Sequence, residues 1–156
     1  MRCIVMMNKT LVFDMDGTIA DLYGVKNWLH DLRMESVRPY TQAKPIYDME
    51  LLNDILLMLK TCGWRIVVTS WLAKESSNFY NEITAIAKYQ WLKKYNFPFD
   101  EVHFVPYGTE KSFCTDNISG YQVLVDDNEE VRNSWKNGGT IDATKNILKS
   151  LVDLLV

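Results

Sequence analysis

Three apolar residues, Leu11, Val12 and Phe13, run straight into Asp14-Met15-Asp16-Gly17-Thr18. No other stretch narrows the fold of this chain as much. A short apolar run bounded by turn-forming residues is the pattern of a strand buried on both faces. The strand is expected to stop where Asp14 enters, which leaves two carboxylates spaced i, i+2 at its carboxyl end. Burying unpaired charge costs several kcal/mol, and a divalent cation relieves that cost. Gly17 admits turn conformations closed to other residues and lets the chain pass close to a ligand. A calcium loop of the D-x-[DN]-x-[DN]-G kind is excluded by register, because Gly17 directly follows the second aspartate.

The rest of the chain alternates strands with helices. Strand one covers 9–13. Residues 20–47 form an insert too small for a core of its own, with one helical stretch at 27–35 whose apolar stripe is Trp28, Leu29 and Leu32. That helix must lean on the main body. Asp48 is placed to cap the next helix and Gly63 to end it, with Leu51, Leu52, Ile55, Leu56 and Leu59 inward. Strand two, 65–68, ends in Thr69-Ser70-Trp71. A long helix over 76–94 carries Ile83, Ala87 and Trp91 at i+4 steps. Strand three is 101–105. Thr109 is placed to cap a short helix that holds Lys111. Strand four, 121–125, ends in Asp126-Asp127-Asn128, and a helix from 129 to about 136 closes at Gly138-Gly139. A short strand at 140–142 precedes a last helix, capped by Thr144, with Ile147, Leu148, Leu151 and Leu155 inward. This alternation predicts an α/β fold, a three-layer, doubly wound parallel sheet with right-handed crossovers and a small insert after strand one. With 156 residues, a single domain over 1–156 is the default.

Composition narrows the function classes. A net charge of -3 gives no basic face for duplex nucleic acid, but a small anionic substrate held locally stays open. A 47% hydrophobic share supports a substantial core in a soluble globular protein. The three cysteines, Cys3, Cys62 and Cys114, are scattered without a C-x-x-C pair. They read as reduced, mostly core thiols of a cytoplasmic protein. The first residues hold too short an apolar run for a signal peptide, and no stretch is long enough to span a membrane. His30 and His103 stand alone and read as structural or surface residues.

Polar groups gather at the ends of strands one, two and four: Asp14 and Asp16, then Thr69 and Ser70, then Asp126 and Asp127, with Lys111 before strand four. In a parallel sheet these converge on one rim, where ligands of such folds bind. The order carboxylates, hydroxyl, lysine, carboxylates resembles the four motifs of the haloacid dehalogenase (HAD) superfamily of phosphotransferases. The likeness covers about 9–135, and D-x-D-G-T resembles the superfamily's first motif. The resemblance implies a magnesium-dependent phosphoric monoester phosphatase acting through an aspartyl-phosphate. Asp14 is then the nucleophile and Asp16 the general acid and base. Thr69 donates its hydroxyl to a phosphoryl oxygen, with Ser70 as the rival one residue along. Lys111 sets a positive charge between nucleophile and phosphoryl group. Magnesium falls to Asp14, Asp126, the backbone carbonyl of Asp16 and, through a water, Asp127.

Each residue also has a plainer reading. Thr69 suits any strand, Lys111 suits a solvated helix start, and Asp126-Asp127 suit a helix N-terminus. Asn128 already provides that last cap, which favours metal. A receiver domain is excluded by order, since its phospho-accepting aspartate ends strand three, and strand three here ends at Val105-Pro106. The 20–47 insert sits where the superfamily carries its cap, and a small cap leaves the site open to a large substrate or a partner subunit. Its aromatics (Tyr23, Trp28, Tyr40, Tyr47) and its cations (Lys26, Arg33, Arg38, Lys44) suit a stacked base and a phosphate. They equally suit attachment of the insert to the body. Trp28 is the substrate-binding candidate, with a nucleotide or another small phosphate ester as ligand. The alternative is a non-catalytic phosphate-binding or protein-interaction module on the same scaffold, against which the complete set of polar groups argues.

Overall fold

The computed structural model describes residues 7–156. In chain order the elements are β1 (Lys9–Phe13), β2 (Ala20–Asp21), α1 (Trp28–Arg33), α2 (Arg38–Gln42), β3 (Lys44–Pro45), α3 (Met49–Thr61), β4 (Trp64–Trp71), α4 (Asn78–Lys94), β5 (Glu101–Val105), α5 (Lys111–Cys114), β6 (Tyr121–Asp126), α6 (Glu129–Ser134), β7 (Gly138–Asp142) and α7 (Ile147–Asp153). The strands β5, β4, β1, β6 and β7, in that order, form a parallel five-stranded sheet flanked by helices. This is the α/β architecture the alternation predicts.

The apolar run of β1 lies at the middle of the sheet because both its faces are covered. Leu11 and Phe13 share one face with Ile66, Val68, Val123 and Val125, under side chains of α3, α4 and α7. Val12, Val67 and Leu124 share the other face with Val131 and Trp135. Register then places the polar rim. Phe13 lies opposite Val68 on one side and Val125 on the other. The next residue along each of these three neighbouring strands is therefore Asp14, Thr69 and Asp126.

The ribbon β2–β3 closes the base of the 20–47 insert, pairing Ala20 with Pro45 and Asp21 with Lys44. It is α2, unforeseen in the sequence, that leans on the body. Its Tyr40 is buried with Tyr80 and Ala87 of α4, and the Tyr80 hydroxyl donates to the Ser36 carbonyl at 2.6 Å. The Trp91 indole donates to the Ala43 carbonyl at 2.8 Å. By contrast, α1 buries no residue.

Several local expectations are corrected. Thr69, Ser70 and Trp71 belong to β4 rather than following it. Gly138 and Gly139 open β7 instead of closing the helix before it. Asn146, not Thr144, caps α7, because the Thr144 hydroxyl is spent on Asp142 at 2.7 Å. Thr109 donates to the Pro106 carbonyl and leaves the N-cap position of α5 to Glu110. Leu51 is 48% exposed and Met49 takes the inward place. Cys62 is exposed and Cys114 half-buried, so neither is a core thiol. Cys3 lies outside the described residues. Among those residues no helix is long and apolar enough to cross a membrane.

Candidate active site

The rim is assembled from consecutive ladder positions. The Asp14 N–H donates to the Val125 carbonyl at 2.9 Å, extending the sheet one step past Phe13. Its carboxylate accepts from the Lys111 ammonium at 2.8 Å and from the Thr18 hydroxyl at 3.0 Å. Lys111, buried at the start of α5, also donates to Asp126 at 2.7 Å. The second oxygen of Asp126 accepts from the Asn128 N–H at 2.9 Å. Asp127 joins through the first-motif turn. Gly17 has φ 79°, and a Cβ there would lie 2.4 Å from an Asp127 oxygen. Only glycine permits both the left-handed turn and that approach.

Oxygens of Asp14, Asp126 and Asp127 all lie within 4.8 Å of one another. Burial alone would push the Asp14 carboxyl up, but the charge and hydrogen bond of Lys111 outweigh it and hold Asp14 below the ordinary carboxylate range. Burial and the Asp14 charge push Asp126 up to about 6 and Asp127 up to about 7. Lys111 is raised despite its burial, by Asp14 and Asp126. Three carboxylates thus face one ammonium, and the strain shows as retained protons. An all-oxygen, electron-rich cluster of this kind fits a hard divalent cation such as magnesium.

Asp16 is held apart from this cluster. Its carboxylate pairs with Lys88 of α4 at 2.6 Å. Burial lifts its carboxyl above the ordinary range, with Lys88 pulling the other way. Lys88 is fully buried and was not foreseen, since a helix lysine ordinarily reads as solvated. The available signal was its place on the inward stripe of α4 beside Tyr80, Thr84, Ala87, Trp91 and Leu92, where a lysine is rare unless paired.

The two hydroxyl candidates part company on opposite faces of β4. Ser70 shares the side of Val68 and accepts from Lys88 at 2.8 Å. Thr69 shares the side of Val67 and, in register, of Asp14. Its buried hydroxyl has no hydrogen-bond partner among the described residues.

A pocket of about 310 Å³ opens over the rim. Asp14, Asp16, Lys111, Asp126 and Asp127 line its floor, and α1 contributes Trp28, Leu29 and Leu32. The apolar stripe of α1 therefore faces the pocket, and its Leu32 also packs on the buried cluster of Leu22, Tyr40, Tyr80 and Ala87. Tyr23 packs edge-on against Trp28 with centroids 4.9 Å apart. Outside the insert, Trp71 and Tyr107 form a second aromatic pair lining the pocket, with centroids 4.9 Å apart. Trp71 is fixed by its indole N–H on the Thr109 carbonyl and lies beneath the Lys111 ammonium. Tyr40 lines the pocket too, whereas Tyr47 does not and bonds to the Lys145 carbonyl instead. The pocket's lysines are Lys74 and Lys111; none of the insert's basic residues lines it. Arg38, for one, is taken up by Asp31 and Gln42.

No family model matches the chain, and no curated protein matches it in sequence. Among solved structures, the D,D-heptose 1,7-bisphosphate phosphatase from Burkholderia thailandensis superposes with a TM-score of 0.59. The superposition covers 95% of this chain and 99% of that one at 12% identity. That likeness shows that the two chains share their α/β fold.

Proposed function

We propose that the chain is a phosphoric monoester hydrolase in which Asp14 is the nucleophile. The observation that carries this reading is Lys111, a buried ammonium bonded to Asp14 and Asp126 on the floor of an open pocket. Lys111 keeps Asp14 ionised and counters repulsion between two anions as they meet. An Asp14 oxygen attacks phosphorus opposite the ester oxygen, and an aspartyl-phosphate forms as the ester P–O bond breaks. The leaving oxygen takes a proton from the Asp16 carboxyl. Water then attacks phosphorus, gives its proton to Asp16, and the bond to Asp14 breaks to release phosphate. The unspent hydroxyl of Thr69 is the donor for a phosphoryl oxygen. Asp14, Asp126, Asp127 and the Asp16 carbonyl are the oxygens for magnesium, which when bound neutralises phosphoryl charge. Asp16→Asn should leave magnesium binding intact and slow turnover on the order of 10²–10⁴-fold; a rate near wild type would remove Asp16 as acid and base.

The metal assignment has a pH signature. In the folded, metal-free chain Asp126 and Asp127 keep protons up to about pH 6 and about pH 7, against an ordinary value of 3.8. Across that interval the folded state binds more protons than the unfolded state, so their contribution to stability is lost as pH rises. Magnesium needs those protons gone. It should therefore raise Tm more at about pH 7.5 than at about pH 5.5. An equal rise at both values excludes these carboxylates as ligands. Hydrolysis of a panel of phosphate esters with magnesium, abolished by excess chelator, tests the function itself.

For substrate, we read the pocket as suited to an ester bearing a flat aromatic group, a nucleotide among them. Its walls carry the pairs Tyr23–Trp28 and Trp71–Tyr107, and stacking on such side chains contributes about 1–3 kcal/mol per base. Trp28→Ala should reorder the ranking among esters while sparing a small phosphate ester. A common factor across all substrates would mark Trp28 as packing alone.

A further inference from the structure

We propose that Lys88 is a positioning residue that fixes the Asp16 carboxyl for proton transfer, tying it to β4 and to the 20–47 insert. This rests on the phosphatase reading. The Lys88 ammonium is fully buried and donates to Asp16 Oδ2 at 2.6 Å, to Ser70 Oγ at 2.8 Å and to the Trp71 carbonyl at 2.7 Å. Those three bonds exhaust its donors. Two of the three acceptors lie at the carboxyl end of β4, which is paired on both sides in the sheet, so the third N–H is presented to Asp16 from a fixed mount. Asp16 itself sits in the turn after β1, and among the described residues Lys88 is the one hydrogen-bond partner of its carboxylate. Lys88 does not line the pocket, so any effect it has on substrate passes through neighbours that do, and of these Asp16 is the one charged partner. Its ammonium also lies 5.0 Å from the Tyr40 ring centroid, and Tyr40 belongs to the insert and lines the pocket. One buried cation thus joins the acid–base group, the sheet and the insert.

A tether that merely holds α4 in place would affect all substrates alike. A residue acting through Asp16 would not, because an ester with a good leaving group needs little protonation. The value of kcat/KM reports steps up to phosphoryl transfer onto Asp14, where this difference is felt. With magnesium present, nitrophenyl phosphate and an alkyl phosphate are compared in wild type, Lys88→Met, Ser70→Ala, Asp16→Asn and the Asp16→Asn/Lys88→Met double variant. Lys88→Met should lower kcat/KM for the alkyl ester on the order of 10-fold more than for the aryl ester. It should lower kcat for both, since hydrolysis of the aspartyl-phosphate needs Asp16 in either case. In the Asp16→Asn background the further loss from Lys88→Met should shrink to about 2-fold or less. Equal losses on both esters, or a full Lys88→Met loss persisting without the Asp16 carboxyl, overturn the proposal. Lys88→Met leaves Asp16 unpaired and risks misfolding. Ser70→Ala keeps both charges while removing one anchor, and it should show the same preference for the good leaving group at smaller size. A leaving-group-independent loss in Ser70→Ala overturns the proposal as well. A wild-type chain that turns over neither ester overturns the phosphatase reading and this inference with it.

Discussion

Asp14→Asn should abolish turnover of every phosphate ester while the chain keeps its fold. An amide is a poor nucleophile and a weaker metal ligand than a carboxylate, so loss of the covalent step should cost on the order of 10⁴-fold or more. The fold survives because the substitution removes a charge from a crowded place. Lys111 keeps Asp126 as a partner at 2.7 Å, so no ammonium is stranded. Asp126 and Asp127, both pushed up in part by the Asp14 charge, are relieved. Metal-free Tm should therefore stay level or rise. Magnesium-dependent phosphate release and thermal unfolding, measured side by side, check both halves. Wild-type rates would place the nucleophile elsewhere, and a collapsed Tm would make Asp14 a structural residue.

What was legible in the sequence was local, or was carried by strand periodicity. The run from Leu11 to Phe13 announces a doubly covered strand, and β1 spans Lys9–Phe13. Asp48 and Asn128 announce helix starts because each side chain bonds the N–H groups two and three residues on. Rim membership followed from parallel register, since Asp14, Thr69 and Asp126 are each the first polar residue after an apolar stretch. Some of what failed was as local as a neighbouring side chain, and some depended on partners far along the chain. Thr144 looked like a cap until Asp142 claimed its hydroxyl. Leu51 fitted the α3 stripe but lies at its margin, where the sheet no longer covers it. The stripe of α1 was legible as apolar, yet sequence alone does not say whether such a face meets a core or a pocket. Lys88 is the clearest case of a distant partnership. Its partners Asp16 and Ser70 are 72 and 18 residues away, and only packing of α4 against β4 brings them together. Strand alternation places Ser70 and Thr69 on opposite faces. The missing fact was which face held Asp14.

Lys111 gives the second large effect and separates a working phosphatase from a binding scaffold of the same fold. With its ammonium 2.8 Å from Asp14 and 2.7 Å from Asp126, it would, in the proposed reaction, sit where negative charge accumulates as nucleophile and phosphoryl group approach. Lys111→Ala should cut kcat/KM by roughly 3 kcal/mol or more if its loss resembles that of an oxyanion-hole donor. Removing it also withdraws what holds Asp14 below the ordinary range, because burial, left unopposed, raises a carboxyl. The acid limb of the rate profile should therefore move to higher pH, the direction in which a harder-to-ionise nucleophile regains its charge. Lys111→Arg should not restore activity. A planar fork does not fit a point-charge position between two carboxylates beneath which Trp71 is already packed at 5.4 Å. If Lys111 were only a structural counter-ion, Lys111→Ala would lower Tm, and saturating magnesium would restore both stability and rate. Magnesium-dependent turnover, its pH profile and Tm of both variants decide between the two. Activity within a factor of about two of wild type in either variant leaves Lys111 outside the chemistry. Restored stability without restored rate places its charge in the transition state.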